Sequence, residues 1–161
     1  MADLGSIPNW ITAFIAGGAL FAAYKSIRSQ REIARKRAAT DFFLKTEMDR
    51  ETLQSHKDYT AAVQQLKKSV VDGKMDISFA NSKEYWHIRD YLNLHELMSV
   101  GLKNDVFDDN VCFDFWSGEL MRAYQDTLPL IKYVQGLPFS KGIYFELEKI
   151  AKRWEAKPNV Y

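Results

Sequence analysis

One short stretch concentrates the side chains most suited to chemistry. Arg89-Asp90-Tyr91-Leu92-Asn93-Leu94-His95-Glu96 sets an arginine and a histidine six positions apart. A histidine can act as a general acid or base, and an arginine can steady the charge of a phosphate. Arg89 and His95 are therefore the candidate catalytic pair. On a regular helix, however, this spacing turns the two side chains about 120° apart. One site would then need the helix to end between them, or a second subunit to contribute. Arg89, Asn93 and Glu96 instead fall at i, i+4 and i+7 on one face. That spacing predicts a structural polar network holding helices together, which is the preferred reading, and the chain is read as non-enzymatic.

Other reactive groupings are missing. His56, His87 and His95 have no Cys or His neighbour at a familiar ligand spacing, so no metal site is expected. His87 and His95 alone make a weak pair, about 80° apart on a helix. There is no phosphate-binding glycine loop and no nucleophile elbow, and no cofactor is expected. Cys112, the single cysteine, sits among apolar and aromatic residues and reads as a buried inert thiol. One cysteine excludes an intrachain disulfide and fits a reducing compartment. A net charge of +1 argues against a specific nucleic-acid partner.

The elements that must carry these residues are helical. In 161 residues, 47% are hydrophobic and 14% aromatic, glycine and proline are sparse, and no repeat appears. The fold class expected is all-α: a long N-terminal transmembrane helix continuing into a cytoplasmic bundle of four or five helices. The division expected is 1–27 for the transmembrane helix and 28–161 for the cytoplasmic domain.

The span is read from Ile7 to Tyr24, which carries no charge. At about 1.5 Å per residue it is roughly 27 Å long, close to a bilayer's hydrocarbon thickness. Pro8 suits a first helical turn, and Trp10 and Tyr24 stand where interfacial aromatics lie. Asp3 precedes the span, whereas Lys25, Arg28, Arg31, Arg35, Lys36 and Arg37 follow it, opposed only by Glu32. This asymmetry sets topology, with the N-terminus outside and the remainder cytoplasmic at the inner membrane, and offers contacts to lipid headgroups. Ala13, Gly17, Gly18 and Ala22 provide small-residue pairs that let helices pack closely, while Phe14, Leu20 and Phe21 carry bulk. The chain itself is thus an expected partner, as a homo-oligomer.

Beyond the span, Ile27, Ala34, Ala38, Phe42 and Lys45 form one helical stripe. Asp49 can cap a second helix carrying Leu53, Val63, Leu66 and Val70, ending before Gly73. Residues 72–81 read as a loop, and Asn81 with Glu84 as a capping box. A third helix from Ser82 to about Gly101 carries Trp86, Tyr91, Leu92, Leu94, Leu97 and Met98. Asp108 or Asp109 caps a fourth, with Val111, Phe115, Leu120 and Tyr124, which Pro129 should kink or restart. Ser140 is expected to open a last helix through Phe145, Ile150 and Trp154, stopped by Pro158.

Tyr91–Asp109 (YLNLHELMSVGLKNDVFDD), with Arg35–Glu47 (RKRAATDFFLKTE) and Tyr144–Glu155 (YFELEKIAKRWE), resembles in content and order a bacterial family of unknown function with an N-terminal transmembrane helix. The arginine–histidine pattern resembles the motif of HEPN ribonucleases. The layout is similar to the small membrane accessory proteins of type VI-B CRISPR systems, divergent HEPN-like chains that form ring-shaped pores and strengthen antiphage defence. The resemblance implies a helical, oligomeric, membrane-anchored protein, a pore or membrane-perturbing effector. The alternatives are a non-catalytic membrane adaptor docking a soluble cytoplasmic partner, or a membrane-tethered ribonuclease using Arg89 and His95.

Overall fold

Between Ala19 and Met48 there is neither glycine nor proline, and the chain runs there as one helix, α1 (Asn9–Met48). It is followed by α2 (Arg50–Lys68), β1 (Val70–Val71), β2 (Lys74–Met75), a 3-10 turn (Ile77–Asn81), α3 (Lys83–Lys103), α4 (Asp109–Gly136) and α5 (Phe145–Glu155). The computed structural model describes residues 9–157, with side chains from 11 onward. The expectations for Asp3, Ile7, Pro8 and Pro158, and for the side chain of Trp10, lie outside the described residues.

Among the described residues the fold is all-helical apart from one short hairpin, but the transmembrane helix is not supported. No helix of the described residues is long and apolar enough to cross a membrane. Length is not what fails, since α1 has 40 residues. Its apolar density does: Asn9, Thr12, Gly17 and Gly18 dilute the uncharged stretch, and Lys25 ends it early. The single-pass, inner-membrane placement with the N-terminus outside falls with it, because the positive-inside tendency orients only a real span. α1 continues without a break through residue 27.

Local signals explain most boundaries. Asp49 ends α1 and caps α2, accepting a hydrogen bond from the Thr52 amide at 3.0 Å. Asp108 caps α4 in the same way through Val111. Ser82, not Asn81, caps α3, accepting from the Tyr85 amide. Within residues 72–81 the chain forms a turn and the 3-10 turn rather than a plain loop. Val70 pairs with Met75 and Val71 with Lys74, and Asp72 and Gly73 link them at φ +49° and +74°. Left-handed backbone at both linking residues is what a two-residue hairpin of matching twist requires. Pro129 lies inside α4 without ending it. Leu130, Ile131 and Val134 beyond it are at most 1% exposed, and burial on that scale outweighs roughly 3 kcal/mol for a helical proline.

The core lies between α2, α3, α4 and α5. Tyr59, Ala62, Val63 and Leu66 of α2 face Ile88, Tyr91, Leu92 and Met98 of α3, and α4 and α5 close the other side with Leu120, Leu130, Leu147, Ile150 and Trp154. Trp86, Leu97 and Phe115 are exposed rather than core. On α1 the buried stripe starts late, at Ala39, Phe43 and Thr46, with Ala38 and Phe42 partly buried; Ile27, Ala34 and Lys45 stay outside it. Phe43 stacks on Phe115 of α4 at 4.7 Å, and Phe42 packs edge-on to Trp116 at 5.8 Å. Phe107, in the α3–α4 connection, lies so close over Gly101 that any side chain there would strike its ring.

Candidate interaction surface

From Thr12 to Ala34 every residue of α1 is exposed. At about 1.5 Å per residue, a helix on the order of 35 Å long stands clear of the body. Its first part is apolar on all sides: Ile15 is 65% exposed, Leu20 73% and Phe21 69%. Ala13, Gly17, Gly18 and Ala22 lie in this stretch, and a Cβ added at either glycine would meet nothing within 4 Å. A glycine inside a helix costs roughly 1 kcal/mol relative to alanine, and no contact among the described residues offsets it.

The basic residues that follow divide into two groups. Arg35 fastens α1 to the body, donating to the Phe107 carbonyl at 3.3 Å and pairing with Asp105 at 3.0 Å. Lys36 pairs with Glu32 one turn away at 2.7 Å. Lys25, Arg28, Arg31 and Arg37 are exposed, with no ion pair among the described residues.

Arg89, Asn93 and Glu96 of α3 are brought together at the start of α5. The Tyr144 hydroxyl accepts from Arg89 Nε at 3.3 Å and lies 3.3 Å from Asn93 Oδ1. Arg89 also lies over the Tyr85 and Trp86 rings. Tyr144, buried and left-handed at φ +60°, precedes α5 without capping it through its side chain. Glu96 supplies the cap from another helix, accepting from the Leu147 amide at 2.7 Å and the Glu146 amide at 3.4 Å. Burial raises the Glu96 carboxyl above its usual range, against the opposing pull of these amides. Lys103 holds Glu146 beside it at 2.7 Å. Ser140 therefore does not open α5. At its far end Asp109 accepts from Trp154 Nε1 at 3.1 Å and Lys157 Nζ at 2.7 Å, and pairs with Arg153.

His95 is not brought to Arg89. It is fully buried, stacked on Trp116 at 4.9 Å, with Nδ1 3.0 Å from the Tyr91 carbonyl. Among the described residues its Nε2 has no hydrogen-bond partner. Burial pushes its pKa down to about 4, so the ring stays neutral, with the proton on Nδ1 facing the carbonyl. His87 is on the surface, 3.9 Å from Asp58, so the two histidines share no ligand. Among the described residues no group of His, Cys, Asp and Glu is placed to hold a metal ion. Cys112 is buried, and burial pushes its thiol up to about 12.

What sequence reasoning missed is the contrast along α1 between an exposed first half and a docked second half. A partial signal was the aromatic pair Phe42-Phe43, the first adjacent bulky pair of α1 that follows the basic run from Lys25 to Arg37. No curated protein and no solved structure matches the chain. A family model, described as a domain of unknown function (DUF4760), matches residues 12–154, and that description carries neither a membrane nor a CRISPR assignment. Because the match begins inside the exposed stretch of α1 and ends in α5, stem and body are parts of one domain, and the chain belongs to the DUF4760 family.

Proposed function

We propose that this is a non-catalytic helical protein whose copies assemble through the exposed half of α1, the partner being the same stretch of further copies. The observation that carries the reading is the uncharged segment up to Tyr24, exposed round its whole circumference. A helix that is apolar all round calls for cover on all sides. One neighbour covers one side, which favours a bundle of more than two copies. The open glycines give the close approach its place.

The charges favour an antiparallel arrangement. In a parallel pair Lys25, Arg28 and Arg31 of both chains would lie side by side. Antiparallel overlap of residues 11–24 sets them roughly 20 Å apart along the axis, beyond twice the ~8 Å screening length at physiological salt. The separation of Arg89 from His95 and the burial of His95 support the non-catalytic part of the reading.

Light scattering on the full chain, at about 100 µM, tests the proposal. The expected mass exceeds twice 18.6 kDa. The double substitution Leu20→Lys/Phe21→Lys, on an exposed helix face, should return it to the monomer with the near-ultraviolet spectrum of the body unchanged. A monomeric unaltered chain overturns the reading.

A further inference from the structure

Where α1 ends against α2, α3 and α4, a cavity of about 380 Å³ opens that the network at α5 and the exposed stem leave unexplained. We propose that it binds a guanidinium group. Its floor is aromatic: Tyr91 and Trp116 are buried there, and Phe115, more than half exposed, stands at the side. Its rim carries Glu47 from α1, His56 from α2 and Glu119 from α4. Burial and then the Glu119 carboxylate hold the Tyr91 hydroxyl above its usual range, with Arg122 opposing and Glu47 adding to the rise, so both acids and this one exposed cation act on the same point of the floor.

The ligand class follows from this combination. Glu47, His56 and Glu119 do not gather as a metal-holding group, and the volume is far more than one ion needs. A cation with apolar surface fits, with its charge toward the carboxylates and its apolar part against the aromatic lining, where Phe115 is the exposed ring while Trp116 already stacks on His95 and Tyr91 on Tyr59. A guanidinium is preferred to an ammonium because it is planar, weakly hydrated and bonds carboxylates through two parallel N–H groups. Arg122 already pairs with Glu119 at 3.1 Å, but its side chain is 67% exposed. An exposed pair of this kind contributes little, so an incoming guanidinium displaces it at small cost. Glu47 has no ion pair among the described residues. The group can belong to an arginine on another chain or to a free guanidino compound; the chemistry recognised is the same.

The test is a ¹H–¹⁵N titration of the full chain, following the amides of residues 47, 56, 91, 116 and 119. N-acetyl-argininamide should give saturable shifts with a Kd on the order of 1 mM, and N-acetyl-citrullinamide, its neutral near-isostere, should give none. Glu47→Gln/Glu119→Gln should weaken binding by about tenfold or more while amides remote from the cavity keep their positions. If the double variant misfolds, Glu47→Gln alone, at an exposed position, should still weaken binding severalfold. Agmatine and Ala-Arg-Ala-amide separate the sources: tighter peptide binding assigns the site to a protein arginine, and tighter agmatine binding to a free guanidino compound. Equal shifts with the citrulline compound, undiminished binding in the variants, or no saturable shift overturns the proposal.

Discussion

His95 has the side chain of a general acid or base but is held buried and neutral. Its neighbours are flat and apolar: Trp116 stacks parallel to its ring and Tyr91 lies 4.6 Å away, with His56 beyond. Such surroundings reject charge, and the ring stays neutral down to about pH 4. The unfolded chain protonates this histidine near pH 6.5, so below that value the unfolded state binds the extra proton. The stabilisation is therefore complete above about pH 6.5 and is lost as the pH falls toward and through 4. Its full size is about 3 kcal/mol. Urea unfolding of His95→Phe, which keeps a ring against Trp116, should show a clearly shallower loss of stability between pH 7 and 4.5 than the unaltered chain. An identical slope would mean that the acid sensitivity comes from elsewhere. The separation of Arg89 from His95 was legible in the sequence, since six positions along a helix turn them about 120° apart, but the partner of each was not, because Trp116 and Tyr144 reach α3 from distant parts of the chain.

At the scale of elements, α5 is held at both ends by carboxylates from other helices. Glu96 of α3 takes the amides at its start, and Asp109 of α4 takes the cations and the indole at its end. Removing Glu96 leaves amides at a half-buried helix start without an acceptor. Glu96→Ala should cost about 1–2 kcal/mol in chemical denaturation, and Glu96→Gln less, because it keeps one acceptor oxygen. Asp109 carries the opposite acid signature to Glu96. Burial raises its carboxyl, but Lys157, Trp154 and Arg153 outweigh that and hold it below the usual range. Its contribution is present above the ordinary aspartate value and lost as the pH falls through the lowered one. The starts of α2 and α4 were legible because Asp49 and Asp108 act on amides three residues ahead. The hairpin escapes the sequence reading, which puts Val70 in the second helix and residues 72–81 in a loop, although Asp72-Gly73 between Val70-Val71 and Lys74-Met75 carries the two-residue turn signal. The start of α5 was not legible, since its cap lies some 50 residues earlier in the chain.

At the scale of the molecule, the body closes over α2 to α5 and takes in only the last part of α1. The first fully buried residue of α1 is Ala39. A chain lacking residues 1–30 should keep its melting midpoint within about 3 °C, because Arg35 and the Phe42-Phe43 contacts remain, and should lose assembly. A drop of about 10 °C or more would show that the stem supports the body. The helical character of residues 9–48 was legible from composition. Its failure as a span was a matter of degree: a stretch without charge is not yet a stretch dense in apolar side chains, as Asn9, Thr12 and the two glycines illustrate.

The same α1 that stands clear of the body at one end supplies Thr46 and Glu47 to the cavity wall at the other. Helices bend sharply at proline, at small-residue pairs or at insertions, and between Ala19 and Met48 there is neither proline nor glycine. That length is therefore one unjointed rod gripped at one end only: Arg35, Ala39 and Phe43 hold it in the body, so that grip alone sets the direction in which the exposed end points.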